Sequence, residues 1–158
     1  MLKGFVLFAI VLGASLSSFA DSFPKGPDDS LTPGALCVHP DSYRYPEKIK
    51  YCNRDVSPQE KAEIFQKYDQ IGYRTRSLKR NSFKIDHYIP LCAGGDNNEK
   101  NLWPQHESVY KITDPLEALI CEKMAAGRLL QKDAIVAITR AKNNLEEVPL
   151  ILSQIQKL

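Results

Sequence analysis

The run Lys84-Ile85-Asp86-His87-Tyr88-Ile89-Pro90-Leu91-Cys92-Ala93-Gly94-Gly95, followed by Asn101-Leu102-Trp103-Pro104-Gln105, gathers the side chains of this sequence best suited to chemistry. An imidazole is the usual general base near neutral pH. A carboxylate is a hard oxygen ligand for Mg²⁺ or Mn²⁺. Together they suit hydrolysis of a phosphodiester, which needs an activated water and charge compensation on the phosphate and the leaving oxygen. Alone, an Asp-His dipeptide is a weak signal, because a histidine at a strand end is usually structural or simply exposed. Adjacent strand residues also point to opposite faces, so Asp86 and His87 share one site only if the strand twists or ends there. Pro90 marks such an ending.

The elements that must position these residues can be read from periodicity. Phe83, Ile85 and His87 alternate with Lys84, Asp86 and Tyr88, which is a strand period. Gly94-Gly95-Asp96-Asn97-Asn98 is a turn-rich loop, and Asn101-Leu102-Trp103 is a second extended piece ended by Pro104, so the two make a long-looped hairpin. Upstream, Ser57-Pro58-Gln59-Glu60 combines a cap, a first-turn proline and a capping-box glutamate. The helix it starts should turn Ala62, Phe65 and Tyr68 inward and end at Gly72. Downstream, Asp114-Pro115-Leu116-Glu117 repeats that logic. Leu116, Leu119, Ile120 and Met124 then form an apolar stripe that stops at Gly127. Residues 131–142 predict a further helix with Ile135 and Ile138 inward, and 146–158 a last one with Ile151, Ile155 and Leu158 inward. Residues 36–56 show no helical pattern and predict irregular structure. Residues 21–35, rich in Pro, Gly, Asp and Ser, predict a flexible leader. The expected class is α+β, with the order helix, hairpin, helix, helix, helix and a single domain over 36–158.

Composition bounds the rest. The chain has 158 residues, 43% hydrophobic and 25% charged, as in an ordinary globular protein. Lys3, the apolar stretch Gly4 to Leu16 and Ser18-Phe19-Ala20 have the three parts of a signal peptide over 1–20. The apolar run is shorter than the roughly 20 residues of a membrane span. Export to a periplasm or the extracellular space is therefore expected, with a mature start at Asp21. Lys3 is the only charged residue of that segment, so its removal takes the formal charge from +2 to +1. Net charge thus says little about a nucleic-acid partner, whereas Arg74, Arg76, Lys79, Arg80 and Lys84 form an acid-free stretch running into the motif. Of these, Arg74, Arg76 and Arg80 are the candidate phosphate contacts. Four cysteines in an exported chain predict two disulfides, and no pair has the spacing of a zinc knuckle. Of three possible pairings, Cys37–Cys52 and Cys92–Cys121 are favoured. The first closes a short polar loop, and the second ties the segment after the motif strand to a later helix.

The pattern Asp-His-x-Ile-Pro-Leu-x-x-Gly-Gly followed by Asn-Leu-Trp-Pro-Gln resembles small exported members of the HNH family of ββα-metal nucleases. The likeness covers about residues 33–140, with its specificity in 85–105 and the core motif within 83–126. It implies a ββα-metal hairpin plus helix flanked by further helices. It makes His87 the general base and Asp86 the first metal ligand. Asn101 would hold the hairpin loop and orient His87, or ligate the metal as in some members; the orienting role is preferred. The family's second metal ligand follows eight or nine residues after that asparagine, where this chain has Val109 and Tyr110. His106, the nearest imidazole, takes its place in the expectation, with Glu107 and Asp114 nearby. The implied activity is hydrolysis of DNA, with RNA second, using Mg²⁺ or Mn²⁺. Low sequence specificity is expected, because nothing resembles a base-reading element. The alternative is a non-catalytic module that binds nucleic acid or an envelope component. Trp103 reads as a packed strand end more than as a base-stacking platform.

Overall fold

Residues 22–158 are described by the computed structural model, so the expected signal segment and the start at Asp21 lie outside the described residues. The fold is mixed α+β. A small antiparallel hairpin, β1 (Ser42–Arg44) and β2 (Ile49–Tyr51), precedes helix α1 (Pro58–Gln70). A second antiparallel hairpin follows, β3 (Phe83–His87) with β4 (Leu102–His106), and then three helices: α2 (Glu107–Ala125), α3 (Gln131–Asn143) and α4 (Val148–Gln156). The register pairs Phe83 with His106, Asp86 with Trp103 and His87 with Leu102.

Two apolar clusters hold these elements. One joins α1 to the second hairpin through Ile64, Phe65, Tyr68, Ile85, Leu102 and Trp103. The other lies among α2, α3 and α4, with Leu116, Ile120, Ile138, Ile151 and Ile155 at its centre. The capping box forms as expected: Ser57 Oγ accepts from Glu60 N, and Ser57 N donates to the Glu60 carboxylate at 2.7 Å. Both disulfides join the expected partners, Cys37–Cys52 and Cys92–Cys121. Among the described residues, no helix is long and apolar enough to cross a membrane.

Several expectations are corrected. Helix α2 starts at Glu107, with the His106 ring accepting from Ser108 N as its cap, and it runs through Pro115. Buried Val109, Thr113, Leu116 and Ile120 share one stripe on both sides of the proline, and that burial outweighs the backbone bond Pro115 cannot make. Strand β4 continues through Pro104 to His106. In α1 the inward residues are Ile64, Phe65 and Tyr68, while Ala62 is exposed. Leu158 is exposed too, beyond the end of α4. Part of 36–56 is the hairpin β1–β2 rather than irregular structure.

The segment read as a flexible leader is fastened to the fold. Thr32 is fully buried, its hydroxyl lying 2.8 Å from Tyr68 Oη and donating to the Leu102 carbonyl at 3.0 Å. Gly34 N donates to Lys100 O at 2.8 Å, and Phe23 stacks on the His106 ring at 4.0 Å between centroids.

Candidate functional site

His87 ends β3 and is almost fully buried. Its ring meets two side chains. Arg54 Nη1 lies 3.1 Å from Nδ1, and Asn97 Oδ1 lies 3.0 Å from Nε2. A guanidinium only donates, so Nδ1 must accept and Nε2 must carry the proton. The Asn97 assignment agrees, because its amide nitrogen is spent on Asn53 O at 2.6 Å. Burial is the main reason the His87 pKa falls to about 4; the Arg54 charge adds to it, and the Asn97 bond opposes it. The imidazole is therefore neutral at physiological pH. Arg54 itself is exposed and also donates through Nη2 to Ile85 O at 2.8 Å.

Asn101 sits at the foot of β4 with no exposed surface. Its Oδ1 accepts from Ile89 N, and its Nδ2 donates to Ile89 O and Asp96 O, each at 2.9 Å. The amide thus acts as a piece of strand and closes the loop that carries Asn97 toward His87. The amide is spent on holding the loop. The Gly-Gly of the motif has a steric cause. A Cβ on Gly95 would meet Ile89 O at 1.9 Å and Asn101 Nδ2 at 2.8 Å, and Gly94 adopts φ +85°.

Asp86 faces the other way. Its Oδ2 accepts from Lys142 Nζ at 2.7 Å, and Lys84 Nζ lies 3.3 Å from Oδ1. Lys142 comes from α3 and is wholly buried. Its ammonium also donates to His87 O at 2.6 Å and to Glu117 Oε2 of α2 at 3.1 Å. Burial works to raise the Asp86 carboxyl, but the charges of Lys142 and Lys84 outweigh it and hold the group below the usual carboxylate range. Burial likewise works against the Lys142 charge, and the two carboxylates more than offset it, so this lysine stays charged.

The expected metal pair does not assemble. Asp86 and His106 are opposite Trp103 and Phe83 respectively, so three strand positions, about 10 Å, separate them. His106 caps α2 and stacks on Phe23 instead. Of the two carboxylates near it, Asp114 pairs with Lys84 at 2.7 Å and Glu107 with Lys111 at 2.6 Å. Nor do the basic residues reach the imidazole. Arg76 pairs with Asp69 at 2.7 Å; Arg80 lies over the Phe65 ring and donates to Phe83 O at 3.3 Å, at the opposite end of β3 from His87. The exposed Arg74 is tied by its backbone to Ser22 O. Trp103 is fully buried, so its ring offers no face to a base. Cys37, Cys52 and Asp96 approach within 4.8 Å of one another, but the two sulfurs are bonded together and cannot ligate a metal as thiolates.

Sequence reasoning missed Arg54 and Lys142. Nothing local marks Arg54. Lys142 had a signal: with Ile135 and Ile138 it falls at i, i+3 and i+7, on the apolar stripe of its own helix. A lysine there must find acids, and Asp86 and Glu117 are those acids. No family model, no curated protein and no solved structure matches this chain, so what it does must be argued from this geometry.

Proposed function

We propose that this chain is an exported phosphodiesterase of nucleic acid, an HNH-like endonuclease acting first on DNA and second on RNA. One observation carries the reading. A neutral, buried imidazole and an exposed guanidinium meet at the end of the hairpin, Arg54 Nη1 lying 3.1 Å from His87 Nδ1. Support also comes from the order β3, β4, α2, which is the strand, strand, helix sequence the motif resemblance implies. Two disulfides suit an oxidising compartment and support export.

The chemistry follows from what a phosphate would do there. A phosphate oxygen is a stronger partner for a guanidinium than an imidazole nitrogen is. As Arg54 turns to the phosphate it frees the Nδ1 lone pair, which then takes the proton of the attacking water. The water oxygen bonds to phosphorus as the P–O bond to the leaving oxygen breaks, that oxygen takes a proton from solvent, and Arg54 faces the charge that develops on the phosphorus-bound oxygens. Asn97 keeps the ring in its tautomer, and Asn101 keeps Asn97 in place. The steps written here run through His87 and Arg54 alone, whatever cation stands beside Asp86.

A nicking assay on supercoiled plasmid and a cleavage assay on single-stranded RNA, each with EDTA, Mg²⁺ and Mn²⁺ in parallel, test the proposal. His87→Ala should lower cleavage by about 10²–10⁴ while circular dichroism is unchanged. Arg54→Ala should weaken nucleic-acid binding as well as cleavage. Full activity in folded His87→Ala protein would sink the reading.

The second reading, a non-catalytic module binding nucleic acid or an envelope component, is favoured by one feature: both ring nitrogens of His87 are engaged. It expects retention of DNA without nicking.

A further inference from the structure

We infer that the Lys142 ammonium is the resident cation of this site, held where an HNH-like arrangement would set a divalent metal, so that the protein neither binds nor requires Mg²⁺ or Mn²⁺ at Asp86. The inference takes from the HNH-like reading only the expectation of a metal beside Asp86.

The oxygen set around Lys142 Nζ is one a hard divalent ion would choose: two carboxylates, Asp86 and Glu117, and one backbone carbonyl, His87. The spacing belongs to an ammonium. The three oxygens stand 2.6–3.1 Å from the nitrogen, whereas Mg²⁺ draws oxygen ligands to about 2.0–2.1 Å. An ammonium has three donors, and all three are used. The other Asp86 oxygen faces Lys84 at 3.3 Å, so neither carboxylate oxygen is free of a lysine.

The Lys142 side chain has no exposed surface and rises from the stripe of α3 that buries Ile138 and Ala141. A metal could take these oxygens only by displacing that buried ammonium. It would also arrive beside Lys84, whose charge opposes it. The missing second ligand at Val109 and Tyr110 then has a physical meaning: a cation supplied by the chain needs no histidine.

The test is a titration of the oxidised, ¹⁵N-labelled chain with Mn²⁺, read by paramagnetic line broadening. The expected result is that the amides of Asp86, His87, Tyr88 and Glu117 keep their line widths, and that the melting midpoint is the same in EDTA, Mg²⁺ and Mn²⁺. Selective broadening of those amides, saturating at one equivalent, overturns the inference. Lys142→Ala empties the cage and gives the converse. Mn²⁺ should then broaden the same amides and raise the melting midpoint, and adding Asp86→Asn should remove both effects. A folded Lys142→Ala protein indifferent to Mn²⁺ also overturns it; should that variant fail to fold with or without Mn²⁺, the wild-type titration decides alone. Cleavage is not part of either readout. A protein without nuclease activity can pass this test, and a nuclease that binds Mn²⁺ at Asp86 fails it while keeping its proposed function.

Discussion

On one face of β3, Lys84 and Asp86 look toward α2 and α3; on the other, His87 looks toward Arg54 and the loop closed by Asn101. Both Asp86 and His87 are buried, and burial penalises charge at each. The outcomes are opposite. Asp86 keeps its charge because two ammoniums face it and outweigh burial, whereas His87 loses its charge chiefly to burial, with the like-charged Arg54 beside it adding to the loss. What decides ionisation in this hairpin is the partner across the strand face. The two neighbours also favour each other's charge, but at His87 burial outweighs that help.

The largest expected effect comes from breaking the charged face. Lys142→Met keeps much of the side-chain volume but leaves Asp86 and Glu117 without their ammonium, and should cost about 3–5 kcal/mol in a denaturant titration. A loss below about 1 kcal/mol would mean that Asp86 is solvated and that the two faces do not differ.

Acid should separate the faces next. The His87 value falls from about 6.5 in the unfolded chain to about 4 when folded. Its neutral burial therefore contributes fully above pH 6.5 and is lost as pH falls from 6.5 toward 4, by up to roughly 3 kcal/mol. The depressed Asp86 carboxyl acts lower, its contribution present above about 3.9 and lost as pH falls through its folded value. Unfolding midpoints measured at pH 7 and pH 4.5 should differ in the wild type and differ much less in His87→Gln. An equal drop in both would assign the slope to other groups.

Asn101→Ala should rank third. It strands the Ile89 amide and the Ile89 and Asp96 carbonyls, at about 1–3 kcal/mol. Loop amides at 89 and 96 should exchange faster while those of α4 hold their rates. Uniform acceleration would show that Asn101 does not act locally.

The smallest effect belongs to the basic segment. Arg74, Arg76 and Arg80 changed together to Ala should lower stability by no more than about 1 kcal/mol, as exposed pairs do. Any phosphate role would appear instead as a shallower salt dependence of DNA binding. A larger stability loss would make Arg80, lying over Phe65, a core residue.

What the sequence made legible was local. The capping box at Ser57 and Glu60, the alternation of β3 and the loop-holding role favoured for Asn101 all depend on residues within fourteen positions of each other. Two kinds of information were hidden. One is competition: Pro115 reads as a helix start, and only the shared buried stripe on either side of it explains why α2 passes through. The other is distance: Lys142 lies 56 positions from Asp86, and Arg54 lies 33 from His87. The chemistry of Asp86 is set by the first of these contacts, so a motif that names the carboxylate does not reveal whether a metal or a lysine meets it.

The second hairpin also explains its own size. A strand edge with free carbonyls is a template for another strand. Along β3 the carbonyls of Phe83, Ile85 and His87, every second residue, accept from Arg80, Arg54 and Lys142 in turn. Along β4 the Thr32 hydroxyl takes the Leu102 carbonyl, and Pro104 has no N–H to offer. Side chains thus occupy three carbonyls of β3 and one of β4, which leaves a third strand fewer acceptors to pair with.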